Sequence, residues 1–196
     1  MRIALVFILS SIFLFGVSSL VLAEEIALVA DFDSAQKTNN RGQEIEVWLA
    51  GDGSDTTQSC QLSFVEDDAL GKEAGHAVRL DYDVESENPA YNGMRMGLNS
   101  FDASGYKTLN FYIKGDTARG FAKQLKIELI GPNKLPSPFM VQGITDKWQK
   151  VTIPLSEFIL IQDWTSLGKF VIVFADINDD PKIGTIYLDH VYFSKS

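Results

Sequence analysis

The stretch Ala77-Val78-Arg79-Leu80-Asp81-Tyr82-Asp83-Val84 alternates apolar with charged residues without a break. Val78, Leu80, Tyr82 and Val84 fall on one side, and Arg79, Asp81 and Asp83 on the other. That is the period-two pattern of a strand with one face buried and one face wet. Thr108-Leu109-Asn110-Phe111-Tyr112-Ile113-Lys114 repeats it, with Leu109, Phe111 and Ile113 inward. Residues 124–129 do so again through Leu125, Ile127 and Leu129, and residues 148–153, 170–174 and 185–193 add three more strands. Weaker candidates lie at 26–32, 45–49, 61–65, 94–98 and 139–142. Turn signals separate the runs: Gly51-Asp52-Gly53, Gly71, Asn92-Gly93, Gly115-Asp116, Gly131-Pro132-Asn133 and Asn178-Asp179-Asp180-Pro181. No window carries a long, capped helical pattern, and residues 154–158 and 163–167 predict one short turn each. About ten short strands with regular turns predict an all-β fold, an antiparallel sandwich or barrel. No repeat or interior linker divides the chain, so residues 24–196 read as one domain.

The last strand breaks its own rule. Ile186 and Leu188 share one phase, and Val191 and Phe193 share the other. A period of two cannot hold all four on one face, so a bulge is expected near Asp189-His190, re-aiming the Asp189 carboxylate.

The front of the chain reads differently. Met1-Arg2 precede an apolar run over residues 3–22 that ends in Val21-Leu22-Ala23, followed by Glu24-Glu25. A basic start, an apolar stretch and a small-x-small exit predict a signal peptide at residues 1–23, cleaved after Ala23. A retained anchor is the competing reading, because about 20 apolar residues can span a bilayer. No cysteine follows the run, so lipid attachment there is unavailable. The expected mature protein is secreted or periplasmic, with no membrane contact after cleavage.

The chain has 196 residues and a net charge of −9. Such a chain gains little from phosphate counterion release, which argues against nucleic acid as a partner. The lone Cys60 excludes a disulfide framework or a cysteine zinc site and reads as a buried, inert thiol. Only two histidines exist, His76 and His190, on different predicted strands. No nucleophile elbow appears, and Gly51-Asp52-Gly53-Ser54-Asp55 is too acidic, and lacks the lysine, to cradle phosphate. The chain is therefore expected not to be an enzyme. Acidic groups at Asp31-Phe32-Asp33, Glu66-Asp67-Asp68 and Asp189 offer the oxygen chemistry that calcium takes.

Several segments together resemble a known fold. Val29-Ala30-Asp31-Phe32-Asp33 resembles the opening strand of galactose-binding-like jelly rolls, and Gly75-His76-Ala77-Val78-Arg79-Leu80-Asp81-Tyr82 resembles one of their inner strands. Residues 102–116 match the strand that opens the second half of such modules. Residues 148–158 match their Trp…Ile-Pro-Leu…Phe segment, and residues 186–193 match the closing strand. The chain resembles family-eleven-type carbohydrate-binding modules and the complex I intermediate-associated protein domain. The resemblance implies a structural calcium ion joining the first and last strands, at Asp31, Asp33 and Asp189 with carbonyls near Gly71. It also implies a glycan groove across a concave sheet. Tyr91, Arg95 and Phe139 are the groove candidates, with Lys126, Glu128 and Arg79 as outward hydrogen-bonding residues. Trp148 and Trp164 are expected in the core. Two readings remain: an exported non-catalytic glycan-binding module, and an exported protein-interaction or assembly factor on the same sandwich. A pair of coplanar exposed rings favours the first, a flat polar face the second.

Overall fold

The computed structural model describes residues 25–50 and 55–196. The expected signal peptide and the Gly51-Asp52-Gly53 turn lie outside the described residues. In chain order the strands are β1 (Ile26–Ala30), β2 (Ile45–Leu49), β3 (Ser59–Val65), β4 (Ala77–Asp83), β5 (Tyr91–Phe101) and β6 (Thr108–Gly115). They continue as β7 (Gln124–Ile130), β8 (Pro136–Gln142), β9 (Gln149–Pro154), β10 (Leu167–Ala175) and β11 (Ile183–Ser194), with a 3-10 turn at Leu155–Glu157.

Alternation translates directly into burial. Val78, Leu80 and Tyr82 of β4 are fully buried, as are Leu109, Phe111 and Ile113 of β6 and Leu125, Ile127 and Leu129 of β7. Each large side chain removed from water contributes about 1.5–3 kcal/mol, which sets the register of its strand. The pairings are antiparallel and build two sheets. One runs β3-β4-β11-β6-β9 with β1 added against β11, and the other runs β2-β5-β10-β7-β8. Their inner faces meet in one core: the Tyr82 ring stacks on Phe174 at 4.1 Å and 10°, and Phe111 meets Phe170 edge-on at 6.1 Å. The fold is the expected all-β sandwich.

The expected bulge is present. Opposite β6 the register slips between Asp189 and Tyr192, and His190 takes a left-handed φ of 47°. The slip turns Val191 and Phe193 inward, and β11 passes from pairing with β4 before the bulge to pairing with β1 after it.

Two local expectations are corrected. Asn92-Gly93 is not a turn but lies inside β5, so Tyr91 opens a strand rather than preceding one. At Gly93 (φ 158°) an added Cβ would sit 1.9 Å from the Ile172 carbonyl oxygen, so the turn-like glycine serves a close strand approach instead. Residues 163–167 form no helical turn. Pro136 and Pro138 are tolerated in β8 because it is an edge strand.

Candidate functional site

Antiparallel register fixes which side chains share the outer face of the five-stranded sheet. One row crosses Glu46 on β2, Arg95 on β5, Val171 on β10, Glu128 on β7 and Pro138 on β8. The next crosses Trp48, Gly93, Val173, Lys126 and Met140. Tyr91, opposite Ala175, follows and is 48% exposed. Arg95 Nε donates to Glu46 Oε1 at 2.6 Å, and that bond holds the Glu46 carboxyl below its ordinary range. Lys126 Nζ lies 3.3 Å from Glu128 Oε1. Val171 and Val173 point outward yet are buried, lying in the rows between these longer side chains. The face is thus a line of small residues along β10, flanked by a ring and an ion pair on one side and a second ion pair on the other.

Four of the five expected groove residues, Tyr91, Arg95, Lys126 and Glu128, share this face. Phe139 does not. It pairs with inward-facing Ile127 and packs toward Phe158 at 6.2 Å, because the β8 register puts odd-numbered residues on the core side. Arg79 lies on the other sheet, bound to Asp81 at 3.0 Å. Trp48 was not among the expected groove residues, although alternation with Ile45 and Val47 puts it outward on β2 beside Glu46. Its ring lies 6.0 Å from that of Tyr91, tilted by 60° rather than coplanar. Its Nε1 is buried with no hydrogen-bond partner among the described residues.

The acidic residues sit apart from this face. Asp189 is 1% exposed, and its carboxylate accepts N–H bonds from Ala69 at 2.9 Å and His190 at 2.6 Å. Burial, then the charges of Asp68 and Asp33, push its pKa up to about 6. Asp33 binds Lys72 Nζ at 2.8 Å and the His76 N–H at 3.2 Å. Lys72 also lies 3.9 Å from Asp68. Asp31 is turned toward Asn40, whose Nδ2 donates to it at 2.9 Å. The charge balance fits a divalent cation, whereas the present arrangement does not form its shell: among the described residues no three His, Cys, Asp or Glu side chains converge as ligands. Cys60 is buried and its thiol is pushed up to about 12 by burial, the inert state expected.

Residues 37–195 match the family described as carbohydrate binding domain 30. The chain belongs to that family. A comparison with curated proteins finds no match. Among solved structures, this family 30 domain is similar to the family 11 carbohydrate-binding module of a cellulosomal cellulase of Clostridium thermocellum, at TM-score 0.62 and 14% identity over 88% of this chain and 95% of that one. It is also similar to part of an exo-β-agarase, at TM-score 0.62 and 12% identity over 85% of this chain and 24% of that one. The CBM22-1 xylan-binding domain from Paenibacillus barcinonensis follows at TM-score 0.50 and 15% identity, covering 88% and 95%. At these identities the likeness establishes the sandwich and nothing finer.

On the six-stranded sheet of this family 30 domain the rings around Lys114 are paired with carboxylates, whereas His190 Nδ1 on β11 is buried without a partner among the described residues. Trp148 was expected in the core but lies here, its Nε1 donating to Asp67 at 3.1 Å and its ring meeting Tyr187 edge-on. Lys114 pairs with Asp67 and lies over both rings, and Tyr187 donates to Asp116 at 2.7 Å. Trp148 Nε1 and the Tyr187 hydroxyl each have a carboxylate partner, whereas Trp48 Nε1 has none among the described residues. Trp164 is partly buried against the core, as expected.

Proposed function

We propose that this protein binds a glycan, without turning it over, on the outer face of β2-β5-β10-β7-β8. Family membership supports glycan as the ligand class. The observation that carries the choice of face is Tyr91, an exposed ring beside Trp48, at one end of a line of small residues flanked by ion pairs. A ring stacks on the apolar face of a pyranose, and charged side chains bond its hydroxyls. The 60° tilt leaves one ring, not two, to stack flat. A family 11 module of C. thermocellum has been solved with a β-1,3-1,4-mixed-linked tetrasaccharide, which makes β-glucans the first ligands to test.

One stacked ring and a few hydrogen bonds, less the cost of immobilising the sugar, give a Kd on the order of 10 μM to 1 mM. Tyr91→Ala is expected to weaken binding about tenfold, about 1.4 kcal/mol, with the melting temperature nearly unchanged because the ring is exposed. Calorimetry against β-glucans, xylans and mannans checks this. No heat at millimolar ligand transfers the face to the protein-partner reading, and new reducing ends on long incubation would mean a hydrolase.

Export through residues 1–23 belongs to the same reading, and mass spectrometry of the native protein is expected to find Glu24 as its first residue. Calcium binding at Asp31, Asp33 and Asp189 is likewise proposed, supported by a buried Asp189 that feels the charges of Asp68 and Asp33, two carboxylates that share the Lys72 ammonium. It requires Lys72 to yield its place and Asp31 to turn from Asn40. At a hundredfold excess over Kd a bound ion adds about 2.7 kcal/mol, a melting shift of roughly 5–10 °C for a chain of this size. Thermal unfolding in calcium and in chelator is expected to differ by that amount for the native chain and not for Asp189→Ala. Coincident curves for the native chain end the calcium proposal.

A further inference from the structure

The far end of the same face closes into a pocket of about 620 Å³, lined by Ser100, Ile130, Gly131, Pro132, Lys134, Ser166, Gly168 and Lys169. It forms because β5 and β10 lose register: the pairing shifts between Leu167 and Lys169, and Asn99 and Ser100 take left-handed φ values of 54° and 53°. The slip opens the end of the sheet against the Gly131–Lys134 turn, where Lys134 also has a left-handed φ of 60°.

The lining chemistry is one-sided. Two lysines and two serines line it, and no acidic residue does. In a chain of net charge −9 that is a local reversal of sign. Neither Lys134 nor Lys169 takes part in an ion pair among the described residues. Glu46 feels the charge of Lys169 and is already bound to Arg95. Lys169 belongs to both places: it lines the pocket, and it lies on the outer face in register with Gly97 and Ile130. From Ala175, opposite Tyr91, to Lys169 is six residues along β10, about 20 Å at strand rise, the reach of a short oligosaccharide.

We infer that the pocket takes the anionic substituent of a charged glycan, a uronate carboxylate or a sulfate ester, whose backbone lies along β10 toward Tyr91. This rests on the glycan reading of the face and narrows its substrate class. Two ammonium donors and two hydroxyls supply the charge-assisted hydrogen bonds an oxyanion needs. A neutral sugar would leave the two lysines with water alone.

The test uses the full chain and β-1,4-linked hexamers of glucan, mannan and galactan, each neutral, C6-oxidised to the carboxylate, or 6-sulfated. Calorimetry at low and high salt is expected to show at least one charged hexamer binding tenfold or more tighter than its neutral parent, with the margin shrinking in salt. Which charged series gains tells uronate from sulfate. The Lys134→Ala/Lys169→Ala variant is expected to bring the charged-to-neutral ratio to about one. Tyr91→Ala is expected to weaken charged and neutral hexamers alike and keep the ratio. Equal affinities for charged and neutral hexamers overturn the pocket and leave the face standing. No binding of any hexamer overturns both.

Discussion

Tyr82→Phe is expected to lower the free energy of unfolding by about 2–4 kcal/mol, far more than the loss of one oxygen suggests. The Tyr82 hydroxyl donates to the Pro181 carbonyl at 3.1 Å and accepts the Ala122 N–H at 2.8 Å. It thereby ties β4 to the loop before β7 and the loop before β11, while its ring stacks across the sandwich on Phe174. Tyr82 is fully buried and Ala122 is 1% exposed, so water cannot replace the lost partner without opening the core. Burial also drives the phenol pKa upward, so the hydroxyl stays protonated across the working range. Tyr187→Phe removes a similar bond, to Asp116, from a half-buried side chain whose partner water can reach, and is expected to cost about 1 kcal/mol or less. Urea unfolding of both variants checks the contrast. Equal losses would mean that burial at Tyr82 does not set its cost.

Asp179 is expected to make the protein less stable as pH rises from about 4 to about 6. It is 5% exposed and accepts the Ala175 N–H at 2.5 Å. Burial raises its pKa from 3.8 to about 6, against the lowering effects of the Ala175 bond and the Lys126 charge. The folded pKa lies above the unfolded one, so the folded state holds the proton more tightly. The stability gained from that proton is complete below about pH 4 and is lost as pH climbs through about 6. A shift of about two units corresponds to about 3 kcal/mol at most. Asp179→Asn mimics the protonated state and is expected to remove this component. The difference between native and variant unfolding free energies then grows from pH 4 to pH 6.5 and is flat above. A difference constant with pH contradicts a buried, proton-holding Asp179. Asp189, also raised to about 6, adds a slope of the same sign that both proteins share, so it cancels in the comparison.

The sandwich was legible because burial on one face leaves a period-two trace, as in β4, β6 and β7. The bulge at Asp189-His190 was legible for the same reason, since two apolar pairs in opposite phases cannot share a face without it. The site was less legible. Phe139 follows two prolines and reads as exposed, but only pairing with β7 decides that it faces the core. Asn92-Gly93 carries a turn composition, and only the close approach of β10 explains a glycine inside a strand. Trp148 stands in the expected motif, yet Asp67, 81 residues away in sequence, holds it on the outside. The Lys134–Lys169 pocket has no sequence signature, because a register slip between β5 and β10 makes it. Alternation reports which residues are buried within a strand, whereas a site depends on which strands become neighbours.

The central claim is that glycan binds the five-stranded sheet rather than the six-stranded one. A titration of isotope-labelled protein with β-glucan oligosaccharides, followed by amide and indole N–H shifts, tests it residue by residue. The account predicts shifts confined to Trp48, Tyr91, Arg95, Lys126, Glu128, Val171 and Val173, with the Trp48 indole N–H among the largest because its ring adjoins Tyr91 and it has no partner among the described residues. Shifts centred on Trp148, Tyr187 and Lys114, with the Trp48 signal unmoved, would contradict it.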